Sequence, residues 1–188
     1  MFKVTFIEIV IAITILWIVN RALVYLKTKK LDIKHEIKLI LVYICLVVIA
    51  RIVYFPYHLV NGHIGDMIFD KSKILPFNLN LIPFKNLIQS FHAWGRFIFI
   101  GNIIMFIPIG IVWPFCFKKL DNIKKTVLAG FLFSILIELS QLLLYERFTD
   151  IDDLITNTFG VFIGAALYFL ILSKIIEKIT QKFINRKK

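Results

Sequence analysis

The residues that could do chemistry in this chain are carboxylates, amides and an arginine that interrupt one apolar stretch: Glu138, Gln141, Arg147, Asp150, Asp152, Asp153 and Asn157. The three aspartates could hold a divalent cation such as Mg²⁺ through one or two carboxylates. Arg147, together with Arg51 from an earlier segment, could bind a phosphate group. Glu138 could act as a general base. This set would suit a metal-dependent enzyme that acts on a lipid-linked substrate.

Other features of the sequence argue against catalysis. It contains no HExxH or GxSxG motif and no nucleophile paired with a histidine. A cluster of aspartates on a loop is a weak metal signal, because an acidic turn can simply be solvated. Asp150 or Asp153 could also cap the helix that follows. We therefore assign no catalytic residues and expect no cofactor, with a divalent cation at Asp150, Asp152 and Asp153 as the alternative.

The elements that must position these residues are membrane helices. The chain has 188 residues, of which 59% are hydrophobic, whereas soluble domains are roughly 45–50% apolar. The excess lies in five apolar runs, each close to the roughly 20 residues that cross a bilayer: residues 5–26, 37–60, 97–117, 126–145 and 154–173. The sequence therefore predicts an all-α, multi-pass membrane protein with five transmembrane helices.

The charge distribution predicts the orientation of the protein. Its net charge of +11 comes mainly from lysines and arginines between the apolar runs, where such residues set topology and contact lipid head groups. Nucleic-acid binding is therefore not expected. Cys45 and Cys116 lie inside apolar runs and do not indicate a disulfide framework. By the positive-inside rule, the N-terminus lies outside the plasma membrane and the C-terminus inside.

Three regions follow from this topology. Residues 1–36 hold the first helix and a basic cytoplasmic loop. Residues 37–173 hold a membrane domain of four helices with an outer loop at 61–96, within which residues 84–94 are expected to form a short interfacial helix. Residues 174–188 are expected to form a basic amphipathic tail that contacts anionic membrane lipids.

Polar residues of several helices are expected at similar depth in the membrane. At about 1.5 Å per residue, Arg51 lies about 14 Å below the outer surface, and four others lie roughly 5–10 Å below it: Asn102, Glu138, Gln141 and Asn157. Glu138 is expected to pair with Arg51 or Arg147, because an unpaired carboxylate in hydrocarbon is costly. These residues predict a small polar pocket that opens outward, rimmed by Arg147, Asp150, Asp152 and Asp153. Alternatively, they are packing contacts worth about 0.6 kcal/mol each.

Small residues indicate where helices approach closely. Gly160 and Gly164 form a GxxxG motif, which lets two helices come into backbone contact. Pro108 removes a backbone donor inside the third apolar run and would kink that helix. We expect Pro108, Gly110, Gly160 and Gly164 to serve helix packing, with a homodimer through the GxxxG motif as an alternative.

Five motifs, in this order, resemble those of the VanZ-like family: Asn80-Leu81-Ile82-Pro83-Phe84, Asn102-x-x-x-Phe106-x-Pro108-x-Gly110, Glu138-x-x-Gln141, Arg147-x-x-Asp150-x-x-Asp153 and Asn157-x-x-Gly160-x-x-x-Gly164. The resemblance covers roughly residues 40–172 and leaves out the first helix and the tail. It implies a bacterial plasma-membrane protein, mostly from Gram-positive organisms. Founding members are associated with low-level resistance to teicoplanin and related lipoglycopeptides, and the resemblance supplies no catalytic residues.

Together the residues and the resemblance favour a binding protein at the outer leaflet. The pocket would engage a cell-wall-related ligand, such as a lipid-linked precursor, a teichoic acid or the glycopeptide itself. Glycopeptides can carry positive charge, so an acidic rim would attract them modestly in salt. The metal-dependent enzyme is the alternative. A transporter is less favoured, because five spans without an internal repeat do not suggest alternating access.

Overall fold

The computed structural model describes residues 2–56, 59–60, 62–69, 79–80, 82–84, 95–142, 144 and 149–185. These residues form six α-helices: α1 (Phe6–Thr28), α2 (Ile33–Tyr54), α3 (Gly95–Cys116), α4 (Ile123–Gln141), α5 (Ile151–Leu167) and α6 (Ser173–Asn185). A π-helical segment, Tyr168–Leu172, joins α5 to α6 without a break. Six short strands accompany them: β1 (Phe2–Val4), β2 (Leu59–Val60), β3 (His63–Ile64), β4 (Met67–Phe69), β5 (Leu79–Asn80) and β6 (Thr149–Asp150).

Among the described residues, four helices are long and apolar enough to cross a membrane: Phe6–Thr28, Ile33–Tyr54, Phe97–Cys116 and Ile151–Ile179. The chain is therefore a mostly helical membrane protein that crosses the bilayer several times. The fourth predicted span corresponds to α4, which is not one of these four. Its 19 residues include Lys124, Lys125 and Glu138, and these charges lower its hydrophobicity. Five spans therefore stay a prediction.

The first helix is apolar on all sides, as expected for a helix in lipid. None of its residues, 6–28, is buried against the rest of the described chain. Thr5 and Glu8 form a capping box at its start, and Lys29, at a φ of 52°, ends it.

Three polar or aromatic contacts join α1 to α2. Arg21 forms an ion pair with Glu36, in which its Nε donates to Oε2 at 2.8 Å. The hydroxyl groups of Thr14 and Tyr43 are 2.7 Å apart, and the ring of Trp17 contacts that of Tyr43. In lipid, apolar side chains gain little by packing on another helix, because the surrounding lipid is equally apolar. The few polar and aromatic contacts therefore fix the position of α1 against α2.

The second helix ends at Tyr54, six residues before the end of the apolar run that predicted it. The reason is Pro56: the residue before a proline is disfavoured in helical conformation, and Phe55 is extended, with φ −117° and ψ 151°. Arg51 was predicted to lie about 14 Å deep, but it lies in the last turn of α2. Its depth from the helix end is therefore about 5 Å.

Short strands connect segments that the sequence treated as loops. β1 pairs antiparallel with β4, whose Phe69 also bridges to Leu144. β5 pairs parallel with β6, and β2 pairs with β3 as a hairpin. Hydrogen bonds therefore join β1 to β4 although α1 and α2 lie between them in the sequence, and β5 to β6 although α3 and α4 lie between them. Residues 85–94, predicted as an interfacial helix, lie outside the described residues, and Phe84 lies in a turn.

The chain divides into two compact units, Met1–Leu81 with Leu136–Asp150, and Ile82–Ile135 with Ile151–Lys188. In the first unit, Phe55, Met67 of β4 and Leu144 form a small buried apolar cluster. In the second unit, α3 and α5 pack along their length.

Glycines allow this close approach of α3 and α5. A Cβ added at Gly160 would overlap the carbonyl oxygen of Ile103, and one at Gly164 would overlap that of Ile107. From the α3 side, a Cβ at Gly110 would overlap the backbone of α5. Pro108 lies inside α3 beside this contact. A homodimer through the GxxxG motif would have to compete with this contact within the chain.

Candidate functional site

Apart from Arg51, the predicted pocket residues that the structure describes lie in two groups of polar side chains, one in each unit. The first group, cluster 1, consists of Tyr54, Asn80, Glu138, Ser140, Gln141, Thr149 and Asp150. The second group, cluster 2, consists of Asn102, Ser134, Asp152, Asp153, Thr156 and Asn157. Arg147, which was predicted to lie at the rim, is outside the described residues.

Glu138 organises the chain around β6 in cluster 1. It lies in the last turn of α4 and is only 5% exposed. Its Oε2 accepts a hydrogen bond from the backbone N–H of Asp150 at 3.1 Å, and Thr149 Oγ1 donates to its carbonyl oxygen at 2.9 Å. The carbonyl groups in the last turn of a helix have no partner within the helix. The segment before α5 therefore folds back to complete the end of α4.

Asp150 is fixed on its other side by Asn80. The amide Nδ2 of Asn80 donates to Oδ1 of Asp150 at 3.0 Å, across the parallel pair of β5 and β6. The sequence motif included Asn80 but did not identify it as a site residue. A neutral amide bonded to an ionised carboxylate gives a stronger hydrogen bond than a neutral pair. Asn80 therefore orients the carboxylate of Asp150.

Gln141 and Tyr54 join α4 to the end of α2. Gln141 Nε2 donates to the carbonyl oxygen of Val53 at 3.3 Å, and the hydroxyl groups of Tyr54 and Ser140 are 2.6 Å apart. Because α2 stops at Tyr54, the carbonyl of Val53 has no partner within the helix, and Gln141 supplies one. The buried Oε1 of Gln141 has no hydrogen-bond partner within the described chain.

Arg51 occupies the same helix end but makes a different contact from the predicted one. Its Nη1 donates to the carbonyl oxygen of Pro56 at 3.0 Å. The ion pairs among described residues join Arg21 to Glu36 and Lys125 to Asp121, and none joins Arg51 to Glu138. The alternative partner predicted for Glu138, Arg147, lies outside the described residues.

In cluster 2, two asparagines connect three helices. Asn102 Nδ2 of α3 donates to Oδ1 of Asp153 in α5 at 2.6 Å. Asn157 Nδ2 of α5 donates to Oγ of Ser134 in α4 at 3.0 Å, and both of these residues are fully or almost fully buried. Oδ1 of Asn157 is buried without a hydrogen-bond partner among the described residues.

Asp152 and Asp153 lie in the first turn of α5, because that helix begins at Ile151 and not at Leu154 as predicted. Carboxylates are favourable at this position, where the unpaired N–H groups of the helix carry partial positive charge. Oδ1 of Asp152 accepts the backbone N–H of Phe84 at 2.5 Å. Phe84 has a φ of 62°, a conformation that is rare for a bulky residue. The carboxylate therefore holds the chain in an unusual turn before α3.

The three aspartates that were candidate metal ligands each contact a different donor. Asp150 contacts Asn80, Asp152 contacts Phe84, and Asp153 contacts Asn102. Within the part of the chain that the structure describes, no three His, Cys, Asp or Glu side chains are grouped so that they could hold a metal ion. Each of the three carboxylates therefore acts as a hydrogen-bond acceptor within its own unit.

Sequence reasoning assigned no site role to Tyr54, Asn80, Ser140 and Thr149. Asn80 and Thr149 belong to β5 and β6, whose pairing has no periodic signal because each strand has two residues. Asn80 was, however, part of a motif that carried the family resemblance. That motif was the signal in the sequence that could have identified Asn80.

Comparisons with known proteins agree with the motifs. Residues 40–172, more than half of the chain, match the VanZ/LLP1 family. The chain is also similar to Protein VanZ of Enterococcus faecium, with 36% identity over 112 residues. That alignment covers 59% of this chain and 59% of the relative, so the chain aligns with less than two thirds of the relative's length. No solved structure matches the chain. The predicted family is confirmed, and the chain belongs to the VanZ/LLP1 family.

Proposed function

We propose that this protein contributes to resistance against teicoplanin and related lipoglycopeptides, or to cell-envelope homeostasis, by binding a cell-wall-related ligand at the outer face of the plasma membrane. The observation that carries the proposal is that a chain of this family buries polar side chains at the ends of apolar membrane helices. Such groups are costly in a membrane and are usually retained for function or packing. Each cluster, taken by itself, is a candidate set of binding groups, and Arg147 is a further candidate from the sequence.

The proposal includes five membrane spans, and the strand pairing supports this number. β5 and β6 pair with each other and therefore lie on one side of the membrane, although α3, a candidate span, separates them in the sequence. A second crossing must return the chain between α3 and β6. The described residues there contain α4, whose 19 residues extend about 28 Å. We therefore take α4 as the fourth of five spans.

The orientation follows from the basic residues. With five spans, the loop after α1, the loop after α3 and the segment after α5 lie on one side, and all three are rich in lysine. The positive-inside rule assigns that side to the cytoplasm. The strands, Glu138 and Asp150 then belong to the outer side, where a ligand of the cell wall is available.

Two buried amide oxygens indicate what the ligand would offer. Oε1 of Gln141 and Oδ1 of Asn157 have no partner among the described residues, and each lies in a cluster that also contains carboxylates. A buried acceptor left without a hydrogen bond costs about 1–3 kcal/mol. A ligand that donates hydrogen bonds, through sugar hydroxyl or ammonium groups, would recover part of this cost. Glycopeptides and lipid-linked sugars both carry such donors.

The experiment is a susceptibility assay in a susceptible Gram-positive host at matched membrane levels of the protein. The wild type is expected to raise tolerance to teicoplanin more than to vancomycin. Glu138→Gln removes the charge but keeps an acceptor for the N–H of Asp150, so it tests charge with little change in structure. Arg147→Ala tests the predicted rim. The matched control is Asp121→Asn, which removes an exposed carboxylate between α3 and α4.

Loss of tolerance in Glu138→Gln and Arg147→Ala, with the control unchanged, is the expected result. Wild-type tolerance in both variants would show that these side chains do not carry the function. If the wild type itself changes no susceptibility, the resistance part of the proposal fails. Binding of lipid-linked precursors and of divalent cations to the purified protein then tests envelope homeostasis and the enzyme alternative.

A further inference from the structure

The last helical stretch of the chain is longer than a membrane is thick. The apolar candidate span Ile151–Ile179 has 29 residues and so extends about 43 Å, whereas the hydrocarbon core is about 30 Å thick. A crossing that starts at Ile151 uses about 20 residues and reaches the far boundary within the π-helical segment Tyr168–Leu172. The helix α6 therefore begins where the hydrocarbon core ends.

The structure changes character at this boundary. The π-helical turn inserts one extra residue, which rotates the following helix relative to α5. Ser173 Oγ donates to the carbonyl oxygen of Phe169 at 3.1 Å. This side chain therefore supplies a hydrogen-bond donor to a backbone carbonyl of the π-helical segment. Tyr168 lies at the start of the segment, and tyrosine is favoured at the level of lipid head groups. These features suit a point where a helix leaves the core.

Beyond this boundary, α6 is amphipathic. Lys174, Lys178 and Lys182 recur every four residues and therefore lie along one face. An adjacent face carries Ile175, Ile176 and Ile179, which are 46%, 40% and 51% exposed. At this exposure, part of each isoleucine side chain is open to water or lipid. An apolar face beside a basic face is the pattern of helices that lie in a membrane interface.

Charge identifies the lipid. From Ser173 to the last residue, the sequence has six basic residues and one acidic residue, Glu177. A neutral bilayer would bind only the apolar face, whereas anionic head groups also attract the lysines. We infer that α6 docks on the surface of the membrane and binds anionic phospholipid head groups through Lys174, Lys178 and Lys182, with its isoleucine face in the acyl region. This inference does not depend on the proposed outer site.

The test uses the full chain in lipid nanodiscs, with an environment-sensitive fluorophore on Ile179→Cys after replacement of Cys45 and Cys116 by serine. Discs of phosphatidylcholine alone are compared with discs that also contain phosphatidylglycerol. The expected result is a blue-shifted emission from a fluorophore that quenchers in the lipid phase can reach. This signal should require phosphatidylglycerol and should weaken at high salt. Replacing the three lysines of α6 by glutamine should lower the ratio of docked to undocked helix on the order of a hundredfold.

Two further variants make the result specific. Replacing the same three lysines by arginine keeps the charge and should preserve docking. Replacing Lys118 and Lys119 of the loop after α3 and Lys124 of the first turn of α4 by glutamine removes as many exposed charges elsewhere and should leave the signal of α6 unchanged. Emission that is the same in both lipid mixtures, or that the glutamine variant of α6 leaves unaltered, would overturn the inference.

Discussion

The contact between α3 and α5 predicts an energetic difference between two glycines in neighbouring helices. A Cβ added at Gly164 would overlap the carbonyl oxygen of Ile107 and the Cα of Gly110, and both are backbone atoms that cannot move aside alone. At Gly101 of α3, a Cβ would meet no atom within 4 Å. The two positions are therefore matched in helical context and opposite in available space.

The magnitudes follow from two opposing terms. Replacing a helical glycine by alanine gains about 0.5–1 kcal/mol of backbone entropy. Overpacking costs about 1–3 kcal/mol, with the larger values where backbone must shift. Gly164→Ala should therefore lower the free energy of unfolding by about 1–2 kcal/mol, whereas Gly101→Ala should raise it or leave it unchanged.

The assay is reversible unfolding of the purified protein in mixed detergent micelles, followed by circular dichroism. Equal stability of Gly164→Ala and Gly101→Ala would refute the close backbone contact between α3 and α5. The same assay, combined with measurement of the oligomeric state, separates packing within the chain from a homodimer. A homodimer contact at Gly164 would shift the association constant and leave the unfolding of the monomer unaffected.

Three further outcomes are expected. Gln141→Leu leaves the carbonyl oxygen of Val53 without its side-chain donor and should destabilise the protein by about 1 kcal/mol in the same assay; an unchanged midpoint would contradict the role of this bond. Asn102→Leu should lower the free energy of unfolding by only about 0.6 kcal/mol. A complete loss of teicoplanin tolerance at normal protein levels would therefore assign Asn102 to binding. Full tolerance would leave Asn102 a packing residue. The ammonium of Lys125 donates to Asp121 and lowers the pKa of that carboxyl. The pKa of Asp121 is therefore lower in the folded protein than in the unfolded chain. The ion pair stabilises the turn fully at pH values above the unfolded pKa, and this stabilisation is lost as the pH falls through the folded pKa. A carbon-detected NMR titration should show Asp121 titrating at lower pH than in Lys125→Gln, and coincident curves would refute the coupling.

The helices could be predicted because each reflects a property of a contiguous segment. Apolar runs long enough to cross a bilayer predict α1, α2, α3 and α5 without knowledge of their neighbours. The error at the end of α2 arose because the apolar run to Val60 was given more weight than Pro56, although the proline is a local stop signal. The start of α5 was misplaced for a similar reason, since Asp152 and Asp153 were taken as loop residues when they are favourable in a first helical turn.

The hydrogen bonds of the site could not be predicted in the same way. Asn80 and Asp150 are 70 positions apart, and Gln141 and Val53 are 88 apart. No periodic pattern encodes which of several buried polar groups finds which partner over such separations. The sequence therefore identified the polar residues, while the partner of each depends on where the helices end and how the strands pair.

The pairing of β1 with β4 constrains the order in which the protein can assemble. Phe2 is made long before Phe69, its partner across the strands, and the chain between them forms α1 and α2. During synthesis, β1 therefore presents an unpaired strand edge at the membrane surface until both helices have been inserted. A delay in the insertion of α2 would prolong this exposure. The earliest vulnerable state of the protein is thus a nascent helical hairpin whose first strand still awaits its partner.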